Sequence, residues 1–299
     1  MMYHTPALLN ESIGGLNISP DGVYVDVTLG GGGHAKVILD RLTTGRLIAL
    51  DHDAHALANA PDDKRIIVEQ GNFRFLRNYL AHHGYRKVDG IFADLGVSFH
   101  HFDDAVRGFS FRYDDAPLDM RMNAAAQLTA KAVVNQYPED SLKSIFAEYG
   151  EITDAWRLAH QIVTARQIST INSSGQLVET IKRCIPRGAE NKYLAKVFQA
   201  LRIEVNSELE SLKSLLMQSV NLLQQGGRLV IITYHSLEDR LVKNFFKNGM
   251  FEGRAEKDIY GNVNVPFRQV NNKAIVPSHE EVVVNSRARS AKLRIGEKN

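Results

Sequence analysis

Three aspartates stand at the ends of short apolar runs: Asp26 in "VYVDV", Asp51 after "RLIAL", and Asp94 in "VDGIFADL". Four consecutive glycines, Gly30 to Gly33, follow the first run and lead into "HAKVIL". Gly30, Gly32 and Ala35 fit G-x-G-x-x-G/A, and Asp51 lies twenty-one residues past Gly30. That spacing suits a dinucleotide loop, in which glycines admit the ligand and an acid binds ribose hydroxyls. A pyrophosphate, however, would be repelled by a carboxylate placed four residues before the turn. A sulfonium cofactor with an amino-acid end reverses that preference, because its cationic centre and ammonium favour nearby carboxylates. Three acids at strand carboxyl ends therefore suit S-adenosyl-L-methionine better than NAD. Any one of them alone is equally well read as a strand terminator.

Two further stretches extend this reading. "GNF", Gly71 to Phe73, offers polar Asn72 and apolar Phe73 to an adenine edge and face. "DLGVS", Asp94 to Ser98, follows the fourth run, where an acceptor amine would be met. A ring-conjugated exocyclic amine is a poor nucleophile, and a hydrogen bond to a carboxylate or carbonyl restores lone-pair density for in-line attack.

Positioning these groups requires a sheet. The β-branched runs at 23–27, 46–50, 65–69 and 88–95 read as strands, separated by helical segments near 34–42, 53–59 and 73–83. Alternation of this kind predicts βαβ units and a doubly wound α/β sheet. Between Asp103 and Ala195 the pattern gives helices and loops only, with "DSLKSIFAEYG" and "DAWRLAHQIVTARQ" at helical spacing. One long helix is expected at about 193–224, then a buried strand in "GGRLVIITYHS" and strand-like runs "RQVNNKAIV" and "SAKLRI". The expected organisation is a core from 1–102 plus 196–299, carrying a helical insertion at 103–195.

Bulk charge announces no partner, with 36 Lys and Arg against 34 Asp and Glu. Its distribution does more. Residues 1–60 hold three basic side chains against six acids, residues 154–202 hold eight against three, and the tail from Ser286 holds five against one. This asymmetry is compatible with an anion gripped away from the glycine loop. The single cysteine, Cys184, excludes an internal disulfide and fits a reducing cytoplasm. No signal segment and no apolar run of about 18 residues is present, so a cytoplasmic location without membrane contact is expected. The pairs His82-His83 and His100-His101 lack Cys or carboxylate partners at ligand spacing, so no metal is expected.

Taken in order, "HTPALLNES", "DVTLGGGGHA", "LIALDHD", "DLGVS", "RGFSF", "PLDMRM", "FQALRIEVNSELE", "GGRLVIITYHSLEDR" and "SRARSAKLRI" resemble the bacterial 16S rRNA (cytosine-N4)-methyltransferases, the RsmH or MraW family. The likeness covers essentially the whole chain. It implies a class I S-adenosylmethionine-dependent methyltransferase fold, Rossmann-like, with an inserted helical domain that recognises RNA. It implies methylation of a decoding-centre cytidine, position 1402, in the small ribosomal subunit. Carried onto matching positions, the cofactor contacts are Gly32, Gly33, His34, Asp51, Phe73, Asp94 and His101. At His101 the sequence reads "SFHH" where the family usually has "SSPQ", and imidazole can still hydrogen-bond. Lys192 and Lys196 stand where relatives commonly carry a His-Pro-Ala-plus-Arg run.

Asp94 and Asp119 are the candidates for engaging the amine, with Arg121 for a phosphate; an Asp119–Arg121 pair that only pins its loop is the alternative. Tyr234, His235 and Ser236 are expected to line the substrate side, with Ser236 also a candidate helix N-cap. Arg287 and Arg289 are candidate phosphate contacts. The resemblance implies 16S rRNA or the 30S subunit as partner, and either a monomer or a homodimer is expected. Two rival readings remain, an NAD-dependent oxidoreductase and a non-catalytic rRNA-binding assembly factor.

Overall fold

The computed structural model describes residues 6–96, 105–253 and 265–299. Two compact units result, Met1–Gly96 with Leu209–Asn299, and Val97–Glu208.

The first unit is built on a seven-stranded sheet of order β3-β2-β1-β4-β5-β7-β6. Its strands are β1 Val23–Asp26, β2 Arg46–Asp51, β3 Ile66–Gln70, β4 Val88–Asp94, β5 Leu223–Thr233, β6 Phe267–Gln269 and β7 Lys292–Lys298. β1 to β5 are parallel, while β7 runs antiparallel to both β5 and β6. This is the expected class I methyltransferase sheet. Successive side chains point to opposite faces, and here both faces are covered, so the strands read as continuous apolar runs. Val25, Ile48, Ile91 and Ile231 pack on one side with Leu80 of α4 (Leu76–His82), Leu215 of α10 (Glu208–Leu222) and Phe245 of α11 (Ser236–Asn248). Tyr24, Leu47, Phe92 and Val230 pack on the other with Leu16 of α1 (Leu9–Leu16) and Ile38 of α2 (Gly33–Arg41). Phe92 is fully buried, and truncating such a ring to Ala costs about 3–5 kcal/mol. Among the described residues no helix is long and apolar enough to cross a membrane.

The second unit is helical, with α5 Ala130–Gln136, α6 Glu139–Glu148, α7 Ala155–Arg166, α8 Ser174–Ile181 and α9 Glu190–Asn206 around one core. Asp140 lies in the first turn of α6, and Asp154 precedes α7 without making a side-chain cap. The unit extends past the expected 195/196 boundary because α9 is continuous there. Tyr193, Val197, Phe198 and Leu201 all join the helical core.

The single helix expected at 193–224 is two helices. Ser207 breaks it with a left-handed φ of 49°. The cause is long-range: Asn206 donates to the Met120 carbonyl at 2.8 Å and accepts from the Met122 amide at 2.8 Å. Arg202 forks onto Glu208 across the break, at 2.8 and 2.9 Å. The run "RQVNNKAIV" also divides, into β6 and a bridge from Ile275 to Leu293.

Candidate active site

The glycine turn is fixed by steric necessity and by the ends of its neighbouring strands. Gly30 and Gly32 have φ of 52° and 75°, a region that L side chains rarely adopt. A Cβ at Gly32 would overlap the Asn59 carbonyl oxygen, and one at Gly33 would overlap the Pro6 ring. The Leu29 amide donates to the Leu50 carbonyl and the Val27 amide to the Phe92 carbonyl, which suspends the turn between β2 and β4. Asp51 closes it: Oδ2 accepts the Gly30 amide at 2.8 Å and Oδ1 the Asp53 amide at 2.8 Å.

Asp26 and Asp94 end adjacent parallel strands and are linked through Thr28. The Asp26 Oδ1 accepts the Thr28 amide at 3.0 Å, and the Asp94 amide donates to the Thr28 hydroxyl at 2.6 Å. Asp26 Oδ2 is buried with no hydrogen-bond partner among the described residues. Burial, reinforced by the negative charges of Asp94 and Asp51, pushes the Asp26 carboxyl up to about 7 despite the Thr28 hydrogen bond. Asp94 is likewise pushed to about 7 by burial, with Glu238 adding to the rise and a Tyr234 hydrogen bond opposing it.

His34 is buried near Asp94, its ring centroid 4.4 Å from that of Phe92. Nε2 lies 3.1 Å from the Ala7 carbonyl oxygen. A carbonyl only accepts, so Nε2 carries the proton and Nδ1 keeps its lone pair, 4.0 Å from Asp94 Oδ2. Burial lowers the His34 pKa to about 4, so the ring is neutral at physiological pH. The result is a set of acceptors gathered beside the glycine turn, which is open at Gly30 and packed on Asn59 and Pro6 at Gly32 and Gly33.

Phe73 begins a short 3₁₀ turn, Phe73–Phe75, and is half-buried against the sheet-face core. Asn72 caps this turn, its side-chain oxygen accepting the Arg74 amide at 2.9 Å. His101 lies outside the described residues.

After β5 the N-cap of α11 is His235, where Ser236 was the candidate. His235 Nδ1 accepts from the Glu238 amide at 3.4 Å, and Glu238 Oε2 accepts the Tyr234 and His235 amides at 3.0 and 3.4 Å. The glutamate at the third helical position selects the cap, and the spacing "HSLE" carries that signal. Ser236 is the first helical residue, and Asp239 in the first turn pairs with Arg294 at 2.7 Å. His235 and Ser236 line a cavity of about 270 Å³ together with Tyr234, Arg289 and Lys292. Arg287 is in the same 3₁₀ turn as Arg289, Ser286–Ser290, but is more buried.

In the helical unit, Asp119 and Arg121 meet as a two-pronged pair at 2.8 and 2.7 Å. Arg121 also donates to the Ala124 and Ala126 carbonyls, so the pair braces its own loop. Burial works against the Asp119 charge, but the Arg121 hydrogen bonds hold its pKa below the usual value. Lys196 donates to the Glu151 carbonyl at 2.8 Å, while Lys192 is exposed. His83 has a carboxylate neighbour that linear spacing did not show, Glu69 at 2.6 Å.

Sequence reasoning overlooked Thr28, Glu238 and the Pro6–Leu8 segment. Thr28 carries no signal beyond its place in the turn. Pro6–Leu8 packs on Gly33 and His34, and the Leu8 amide donates to Glu281 at 2.7 Å.

A family model described as the MraW methylase family matches residues 1–299. The chain is 55% identical over 299 residues to ribosomal RNA small subunit methyltransferase H of Bacteroides thetaiotaomicron, covering 100% of this chain and 98% of that protein. It is 54% identical over 299 residues to the protein of the same name from Flavobacterium johnsoniae, again covering 100% of this chain and 98% of its relative. Full-length similarity at this level shows that the chain belongs to the MraW methylase family.

Proposed function

We propose that this chain is a cytoplasmic enzyme that methylates the N4 amine of the decoding-centre cytidine in 16S rRNA, using S-adenosyl-L-methionine and acting on the small ribosomal subunit. The observation that carries the reading is the acceptor-rich wall around the glycine turn: buried Asp26 with its unpartnered Oδ2, Asp94, and neutral His34. Such a wall repels a pyrophosphate and favours a ligand bearing a sulfonium and an ammonium. Gly30 leaves open space beside the backbone, Gly32 and Gly33 meet the ligand through their main chain while packing on Asn59 and Pro6, Asp51 meets ribose hydroxyls, and Phe73 offers a ring to adenine. His101 is the further cofactor contact that the family resemblance supplies.

When bound, S-adenosyl-L-methionine supplies an electrophilic methyl group. The protein's task is to align the acceptor, since charge disperses during the transfer and little new charge needs stabilising. Asp94 accepts a hydrogen bond from the cytosine amine, turning its lone pair toward attack, and takes up the proton that the amine loses. Asp119 is the second candidate for engaging the amine, with its orientation set by Arg121. His235, Ser236, Arg287 and Arg289 contact the RNA, and the target base leaves its stack to present its amine.

The test is incubation of the protein with radiolabelled S-adenosyl-L-methionine and unmethylated small subunits, followed by mapping of the labelled nucleotide. Label on N4 of a decoding-centre cytidine is expected. Label at an adenine or on protein overturns the substrate assignment. Association with rRNA without any transfer makes the chain an assembly factor. Tight NADH binding without S-adenosylhomocysteine binding makes it an oxidoreductase.

A further inference from the structure

The structure assigns to Tyr234 the role of a positioning residue for methyl transfer: its hydroxyl holds the Asp94 carboxyl by one oxygen, so that the other is turned to receive the target amine. This rests on the reading of Asp94 given above.

The geometry is specific. Tyr234 is the first residue past β5, and β5 is paired with β4, where Asp94 stands opposite Ile232. The Tyr234 hydroxyl donates to Asp94 Oδ1 at 2.8 Å. Its backbone is held in turn by Glu238, which accepts the Tyr234 amide at 3.0 Å and is only 3% exposed. The ring is therefore anchored from its own chain before it reaches the aspartate.

Asp94 has no other donor to its carboxyl among the described residues. Its own amide is spent on Thr28. His34 gives its proton to the Ala7 carbonyl and shows Asp94 only a lone pair, from 4.0 Å. The charged and titratable groups around this pair are Asp26 on β1, Glu238 on α11 and Glu281 on α12 (His279–Val284), together with neutral His34 on α2. Among the described residues no cation fixes the carboxyl, and the one donor that holds it is the phenol. Burial and the neighbouring acids raise the Tyr234 pKa well above its ordinary value, so the phenol remains a donor through the working pH range. Fixing Oδ1 leaves Oδ2 as the acceptor, and an amine must meet it in one direction to point its lone pair correctly.

The experiment compares wild type with Tyr234→Phe in the full chain. It measures kcat and KM for small-subunit methylation across pH, the S-adenosylhomocysteine Kd, and Tm. Removing one hydrogen bond to a charged group is expected to lower kcat about 10- to 100-fold. Subunit KM and the cofactor-product Kd should stay within about 3-fold. The Tyr234 hydrogen bond opposes protonation of Asp94, so the acidic limb of the kcat profile should move to higher pH in the variant.

An unchanged kcat, an unmoved acidic limb, or a loss matched by an equal loss of S-adenosylhomocysteine affinity would each overturn the assignment. Failure of the underlying reading shows separately, as absence of methyl transfer by wild type itself.

Discussion

Asp51 and Gly30 are joined by a 2.8 Å hydrogen bond from the glycine amide to the carboxylate, which makes the acid at the end of β2 a clamp on the turn as well as the proposed cofactor contact. The other oxygen holds the Asp53 amide. Asp51→Ala removes both, and each charge-assisted bond is worth about 1.5–3 kcal/mol. Affinity for S-adenosylhomocysteine should fall at least about 10-fold by calorimetry. Asp51→Asn, which keeps one acceptor oxygen, should fall between wild type and Ala. Equal affinities for all three proteins would remove Asp51 from the cofactor site.

Gly32 tests the turn from the steric side. Alanine there must take a φ of 75° and displace the Asn59 carbonyl, whose residue also donates to the Gly30 carbonyl at 2.8 Å. Gly32→Ala should destabilise the protein by about 1–3 kcal/mol and abolish measurable cofactor binding. Gly84, with φ of 79° and open space around it, separates the two causes. Gly84→Ala should cost backbone strain alone and bind cofactor normally.

Asp26 gives stability a pH dependence of defined sign. Its native pKa lies near 7, above its ordinary 3.8, so between those values the folded protein holds a proton that the unfolded chain has lost. Its contribution is complete below the lower value and is lost as pH rises through the upper one. Relative to wild type, Asp26→Asn should gain stability on going from about pH 5 to pH 8, where the carboxyl must ionise without a full set of partners. Parallel Tm curves for the two proteins over that range would contradict the buried-acid description. In wild type, binding a cationic cofactor near pH 6.5 should release protons, read as a dependence of calorimetric heat on the buffer's ionisation enthalpy.

The parts of this architecture legible in the sequence are those written in local patterns. Strands buried on both faces read as unbroken β-branched runs, and Asp26, Asp51 and Asp94 mark their carboxyl ends. What escaped was decided by residues far apart in the chain. The break at Ser207 depends on Asn206 reaching Met120 and Met122, more than eighty residues away. The Tyr234–Asp94 bond spans 140 residues. The cap at His235 was obscured by the stronger general preference for serine, until the Glu238 carboxylate bonding back to the backbone decided it. Asp119 and Arg121, two residues apart, were legible as a pair because contact at that range needs no tertiary information.

Arg289 carries the test of the RNA surface. It is exposed, and it lines the same cavity as His235, Ser236 and Lys292, where several donors can converge on one phosphate. Phosphate contacts bind without reading sequence, and each releases condensed counterions when it forms. Arg289→Ala should therefore weaken binding to small-subunit rRNA and flatten the plot of log affinity against log salt by about one ion. Affinity for S-adenosylhomocysteine should stay unchanged, since no hydrogen bond among the described residues ties Arg289 to the glycine turn. Filter binding at several salt concentrations measures both quantities, and an unaltered slope would take the C-terminal segment out of the RNA interface.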